Sequence, residues 1–455
     1  MDAIRLHGRR RRARLQGKAR APIALAAAAL LLSACDTFMG DPEAPPLPGE
    51  RISVLKLSSA LTVDPDLAQQ KVVLPKPVAN ADWPQAGGYS SHAMYHVALG
   101  DNLKTAWTAK IGKSADDSRL LLAEPVSANG RVFTLDAGAT VSAFDLSNGA
   151  RVWQLDLTPD DEDDDLFGGG LATDGKLLYV TTGFEEVIAL DVTNGATVWS
   201  TNLQAPVRAA PTVSDGRVFV LTVDNQLIAL AADDGRRLWS HAGVAESASL
   251  LGGAAPAVVG PDVIAPFSTG ELLALRAETG RVLWSESLAG GQRSESLSQL
   301  ADIRGRPAID RDLVVAVSHS GVTAAIDLAN GRRVWTQDFG GSQSPWVAGD
   351  YIYVLTRYGD VVCLTRDQGR IRWVQSLPRF EDEADKKDPI YWSGPVLAGD
   401  RLIVTGSNGE AYSISPYTGD LLGKLALPGR SHLPPIVANG TLLLVTDDAE
   451  LIALR

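Results

Sequence analysis

Short apolar runs rich in Val, Leu and Ile recur along most of the chain, cut every few residues by Gly, Pro, Asn or Asp. Runs of this length and β-branched content, bounded by turn residues, predict strands rather than helices. Their order is regular. A Pro-containing start leads to a strand such as Arg217-Val218-Phe219-Val220, then a second such as Gln226-Leu227-Ile228-Ala229-Leu230, then a turn, then a strand carrying Trp. Gly-x-x-x-Trp occurs six times, at Gly149/Trp153, Gly195/Trp199, Gly235/Trp239, Gly280/Trp284, Gly331/Trp335 and Gly369/Trp373. Each Gly lies six residues after a small side chain: Ala143, Ala189, Ala229, Ala274, Ala325 and Cys363. Ser413 with Gly419, and Ala453 near the end of the sequence, extend the pattern without the Trp, giving eight copies. A spacing of roughly 40–50 residues is the length of a four-stranded propeller blade. Asn148-Gly149, Asn194-Gly195, Asp234-Gly235 and Asn330-Gly331 are read as two-residue hairpin turns, because Gly there accepts positive φ.

The eighth copy stops at Ala453-Leu454-Arg455, before its turn and its Trp strand. A blade left that way would expose an unpaired edge. The alternating segment 103–111 supplies the missing strand, with Trp107 placed 46 residues before Trp153. The expected fold is therefore all-β: an eight-bladed propeller of four-stranded blades, its ring closed by an N-terminal strand paired with the C-terminal blade. A linear array of sheets is the competing arrangement, and it leaves Trp107 unexplained.

The start of the chain has a different character. Seven Arg and one Lys fall in the first 20 residues, followed by an apolar run over 21–32 that is too short for a permanent membrane span. The run ends in Leu32-Ser33-Ala34-Cys35, which resembles the lipobox of bacterial lipoproteins. The resemblance implies cleavage before Cys35, lipidation of its thiol and stable membrane anchoring. The expected organisation is a signal peptide over 1–34, a lipid-anchored linker over 35–80 that is Pro-rich near the anchor, and the propeller over 81–455. Removing 1–34, with eight basic residues and one acidic, takes the formal charge from −12 to −19. So acidic a surface argues against nucleic-acid binding and against broad adsorption to anionic lipid. Cys363 fills a slot that other repeats give to Ala, so it reads as a buried small apolar residue and not as a nucleophile or ligand.

The repeats resemble those of the PQQ-enzyme type of propeller over nearly all of 82–455. In that type the Trp residues, here Trp107, Trp153, Trp199, Trp239, Trp284, Trp335 and Trp373, dock between neighbouring blades. Lipobox and eight repeats together are similar to the BamB family, lipoprotein subunits of the outer-membrane β-barrel assembly machinery. Ser249-Leu250-Leu251-Gly252-Gly253-Ala254-Ala255-Pro256 resembles that family's loop leading into the fourth blade. Leu300-Ala301-Asp302-Ile303-Arg304-Gly305-Arg306-Pro307 resembles the loop leading into the fifth. In the family these loops contact the POTRA domains of the barrel subunit BamA. The resemblance thus implies a partner surface at Leu250, Leu251, Asp302 and Arg304, with unfolded β-barrel substrates as a further class of partner. Leu251 stands where typical members have Arg, and Arg304 where they have a second Asp. The implied place is the periplasmic face of the outer membrane; Asp36 departs from this, because in enterobacteria-like sorting Asp after the lipidated Cys favours inner-membrane retention.

Asp82-Trp83-Pro84-Gln85 is similar to the start of the propeller in PQQ-dependent dehydrogenases, which gives an enzymatic alternative. Those enzymes use a carboxylate beside a calcium-bound quinone, many with a disulfide between adjacent cysteines. Neither an adjacent Cys pair nor the long insertions that build those sites is present here. The expectation is no catalytic residue, no cofactor and no metal; a ligand-binding or sensor propeller is the third reading. The acidic run 160–165 lacks a Gly to turn it around a calcium ion and reads as a solvated loop. His92 and His96 have the spacing of a two-His metal site but no third ligand in view, and they read as surface or packing residues. Gly168-Gly169-Gly170 reads as a blade start.

Overall fold

In the computed structural model each repeat is one four-stranded antiparallel sheet. The description covers residues 61–67, 70–116, 119–159, 168–246, 252–289 and 301–455. The first blade is Val126–Ala128, Arg131–Leu135, Thr140–Asp145 and Arg151–Asp156. Blades two to seven span 169–202, 212–242, 257–287, 308–337, 346–376 and 392–426. The eighth joins Ile436–Ala438, Thr441–Val445 and Glu450–Leu454 to the N-terminal strand Thr105–Lys110. Trp107 lies opposite Ala453 in that pairing, so the ring closes as the sequence predicts. Among the described residues the remaining sheet is a two-stranded ribbon, Phe380–Asp382 with Lys387–Pro389.

Register explains the small residue of the repeat. Ala143 is paired with Phe133 on one side and Trp153 on the other, and those rings approach to 5.9 Å across it. Ala189, Ala229 and Cys363 lie likewise between Tyr179 and Trp199, Phe219 and Trp239, Tyr353 and Trp373, with ring separations of 5.8–6.0 Å. A larger side chain in the middle strand would hold the rings apart, losing an aromatic contact worth about 0.5–1.5 kcal/mol. Cys363 is buried as expected, and burial pushes its thiol well above the usual range.

The Trp rings make the seams between blades. Each of the seven donates its indole N–H to a main-chain carbonyl of the following blade, at 2.8–3.2 Å. The ring covers the turn Gly of that blade: a Cβ on Gly149, Gly195, Gly235, Gly280, Gly331, Gly369 or Gly419 would fall 2.5–2.8 Å from it. These turns are longer than the two-residue hairpins read from the sequence. Strands end at Asp145 and resume at Arg151, Gly149 N–H bonds Asp145 C=O, and Gly149 but not Asn148 has positive φ. The Asp145 carboxylate accepts the N–H of Ser147, and Asp191 and Asp327 do the same for Thr193 and Ala329. These side-chain bonds brace the loop in blades one, two and five, and the same Gly N–H to strand-end carbonyl bond closes it at Ala231, Arg276, Thr365 and Ser415. The seam between blades seven and eight lacks a Trp, because Gly423 faces Ser413 there. Leu421, Leu422 and Leu425 stay exposed on the same strand.

Residues 78–99 run as a belt inside the ring and meet the innermost strand of every blade. Asn80 binds Val437 and Asn439 of blade eight. Trp83 exchanges main-chain hydrogen bonds with Ser127 of blade one, and Gln85 bridges Ala172 of blade two. The Gln85 side chain then bonds both N–H and C=O of Val213 in blade three, at 2.8 and 3.0 Å. Ser90 and Ser91 accept from Val258 and Ile309 of blades four and five. Tyr95 C=O accepts from the Trp346 indole of blade six, and Val97 pairs with Leu397 and Gly399 of blade seven. The belt closes on itself where Val78 pairs with Val97 and Ala98. It satisfies the inner strand edges, which would otherwise line the channel unpaired. Before the belt, residues 61–67 lie on the outer strand of blade six, where Asp64 bonds Ile371 through its N–H and Arg370 through its carboxylate at 2.6 Å.

Candidate functional site

Four antiparallel strands per blade place two kinds of loop on one face: the connections between blades and the loops joining second and third strands. Bonds such as Leu157 N–H to Ala139 C=O and Leu203 N–H to Glu185 C=O tie them together. Of the predicted partner residues, Asp302 and Arg304 belong to this face. Leu250 and Leu251 lie outside the described residues. Gly252, directly after them, sits against Arg304: a Cβ there would be 3.2 Å from the guanidinium. The connections into blades four and five therefore adjoin. Asp302 is buried, and its carbonyl accepts the His319 N–H at 2.9 Å. Arg304 is half-buried and turns towards the channel mouth, forming no hydrogen bond or ion pair with a described residue.

That mouth is lined by Arg208, Arg304 and Arg306 with Glu124, Gln343 and Ser344. Arg306 pairs with Glu124 at 2.7 Å, and Glu124 also accepts the Gly87 N–H of the belt at 3.3 Å. Burial pushes the Arg304 guanidinium below its ordinary value; Asp302 opposes the shift and Arg306 adds to it. Ala86 and Gly87 form part of the mouth's lower wall, above Trp83, whose ring stacks on Trp346 at 6.2 Å. The belt thus turns the channel into a cup that opens on the face of the connections.

The paired histidines are belt residues. His92 Nδ1 bonds Pro307 C=O and His96 Nδ1 bonds Pro75 C=O, both at 2.8 Å. Burial and the nearby Arg306 charge lower the His92 pKa to about 3. Gly169 opens a blade, where a Cβ would meet the Thr181 carbonyl oxygen at 1.8 Å. Among the described residues no group of three or more His, Cys, Asp or Glu side chains is placed to hold a metal ion. Cys35 and the acidic run 160–165 lie outside the described residues.

A family profile described as outer membrane protein assembly factor BamB matches residues 137–375 and 382–455. The chain belongs to the BamB family. A relative from Bordetella pertussis, named outer membrane protein assembly factor BamB, is 27% identical over 369 residues, covering 81% of this chain and 90% of the relative. One of the same name from Xanthomonas campestris is 28% identical over 356 residues, covering 77% and 85%. The crystal structure of BamB from Moraxella catarrhalis superposes with a TM-score of 0.65 at 20% identity, over 78% of this chain and all of that one. The quinohemoprotein alcohol dehydrogenase of Comamonas testosteroni gives 0.64 at 13% identity, over 82% and 80%, a likeness of fold alone.

Two features of the BamB-type ring escaped the sequence reading. In the sequence Asp82-Trp83-Pro84-Gln85 shows only a likeness to an enzyme's start, whereas in the ring it is the part of the belt that reaches blades one to three. Arg208 and Glu124 carry no motif, and Arg306 stands in the loop leading into the fifth blade with no role of its own there; the ring alone brings the three together.

Proposed function

We propose that the chain is a non-catalytic scaffold subunit of the outer-membrane protein assembly complex. It docks through the connections into blades four and five on the POTRA domains of BamA and assists insertion of β-barrel proteins. Cys35, lipidated, holds it at the periplasmic face of the outer membrane. The observation that carries this reading is the BamB family match, which spans the blades presenting both connections. The contact between Gly252 and Arg304 supports one continuous patch. Arg304 would face an acidic residue of BamA, since charge complementarity across a rim sets partner choice.

The test is co-purification of the full-length lipoprotein with BamA from its own envelope. Leu250→Ala combined with Arg304→Glu removes an apolar anchor and reverses the charge, and interface energy concentrates in a few such residues. Recovery of BamA should fall by about tenfold or more, roughly 1.4 kcal/mol or beyond, with thermal stability unchanged. Undiminished recovery removes the patch. Absence of BamA from the wild-type eluate removes the reading itself.

A further inference from the structure

The cup concentrates positive charge in a chain whose formal charge is −12. Arg208 and Arg304 line one cavity and neither forms a hydrogen bond or ion pair with a described residue. Arg306 beside them spends its charge on Glu124. The Asp302 charge favours the Arg304 guanidinium, yet burial, the larger effect, and Arg306 disfavour it. Guanidiniums drawn out of water beside one another are costly unless an anion pairs with them. Neutral donors stand nearby. Ser344 Oγ accepts the Arg306 N–H, leaving its own hydrogen to point elsewhere, and Gln343 accepts Gly394 N–H through its carbonyl oxygen, leaving its NH2 group to donate. Belt residues Ala86 and Gly87 stand below these groups, so an anion approaches them from the connection face.

We infer that Arg208, Arg304 and Arg306, with Gln343 and Ser344, form an oxyanion site in the cup that takes a carboxylate or phosphate group. Planar guanidinium forks suit such groups, and a recess with a low-dielectric floor strengthens the attraction. A small solute and an acidic side chain of a polypeptide present the same chemistry. The site is read without any partner protein, so its failure would leave the docking reading untouched.

The full-length protein is titrated calorimetrically at low ionic strength with sodium phosphate, with citrate and with a hexaglutamate peptide. The wild type should bind at one site per chain, and the affinity should fall steeply with added salt. Arg208→Gln should weaken binding about tenfold or more, as expected for loss of one charge-assisted contact. Arg208→Gln with Arg304→Gln should abolish it. Neither guanidinium bonds a described residue, so circular dichroism and melting temperature should match the wild type; a variant that fails this control is replaced by Arg208→Lys, which keeps the charge but loses the planar fork and should also weaken binding. Binding of phosphate or citrate assigns the site to solutes, and binding of hexaglutamate alone assigns it to polypeptide. No binding of any probe, or binding unchanged in the double variant, overturns the inference.

Discussion

Replacing Gly149 by Ala separates two reasons for the conserved spacing of Gly and Trp within this chain. Gly149 has φ +75°, and a Cβ there would lie 2.5 Å from the Trp107 ring. Gly216 has φ +71° with nothing within 4 Å of its would-be Cβ. Both substitutions bear the left-handed strain of an L-residue, about 1–2 kcal/mol. Only Gly149→Ala must also displace an indole held between blades one and eight, which for overpacking costs roughly 1–3 kcal/mol more. Urea unfolding of the two variants, followed by Trp fluorescence, should therefore place Gly149→Ala well below Gly216→Ala. Trp107→Ala destabilises by itself, but in that background Gly149→Ala should cost no more than Gly216→Ala does, a coupling of about 1–3 kcal/mol. Equal losses at Gly149 and Gly216, or no coupling to Trp107, would refute the seam argument and leave turn conformation as the sole role of the Gly.

Two further perturbations test the belt. His92 is neutral in the fold, its pKa lowered to about 3. The unfolded chain takes up a proton that the native state refuses, so stability should fall as pH drops below about 6.5, by up to roughly 1.4 kcal/mol per unit until pH nears 3. His92→Gln should show a shallower acid limb when urea midpoints are compared across pH; an identical limb would mean that the imidazole titrates in the native state. Gln85→Ala strips both partners from Val213 and should cost about 2–6 kcal/mol, since each buried group left unpaired costs about 1–3. Gln85→Glu should recover only part of it, because a carboxylate replaces the acceptor but not the donor; full recovery would argue against the paired geometry.

The blades were legible because each recurring residue type has its own contact. Ala143, Ala189, Ala229 and Cys363 lie between two rings, Ala274, Ala325 and Ala453 between the Trp and an aliphatic side chain, the Trp meets a carbonyl one blade on, and the Gly seats the Trp. Three contacts repeated around a ring leave a period that composition alone reveals. The sequence does not give turn length, because Asn-Gly also opens two-residue hairpins; the longer turn closes by the Gly N–H on the strand-end carbonyl, at Ala231 and Arg276 as much as at Asp145 and Asp191, and a backbone bond leaves no mark on residue type. The belt has no period to find. Residues 78–99 give one or two contacts to each of eight strands, mostly through backbone, and a backbone contact leaves no mark on residue type. The cup's arginines were illegible for a related reason, since Arg208 and Arg304 come from different connections and meet only once the ring is closed.

The pairing of Thr105–Lys110 with Glu450–Leu454 has a consequence for how the chain acquires its structure. A ribosome releases the first of these strands long before the second, so the clasp waits for the second to emerge. Contacts this distant in sequence are slow to form, because loop-closure entropy is spent before they return any stability. Until then the blade-eight strands lack a neighbour and the belt lacks part of its track. Growing chains therefore pass through open arcs with bare strand edges, the species most apt to pair with one another. Removing residues 450–455 should not yield a seven-bladed ring with a frayed end. It should hold the chain in that arc, where holding chaperones and proteases act.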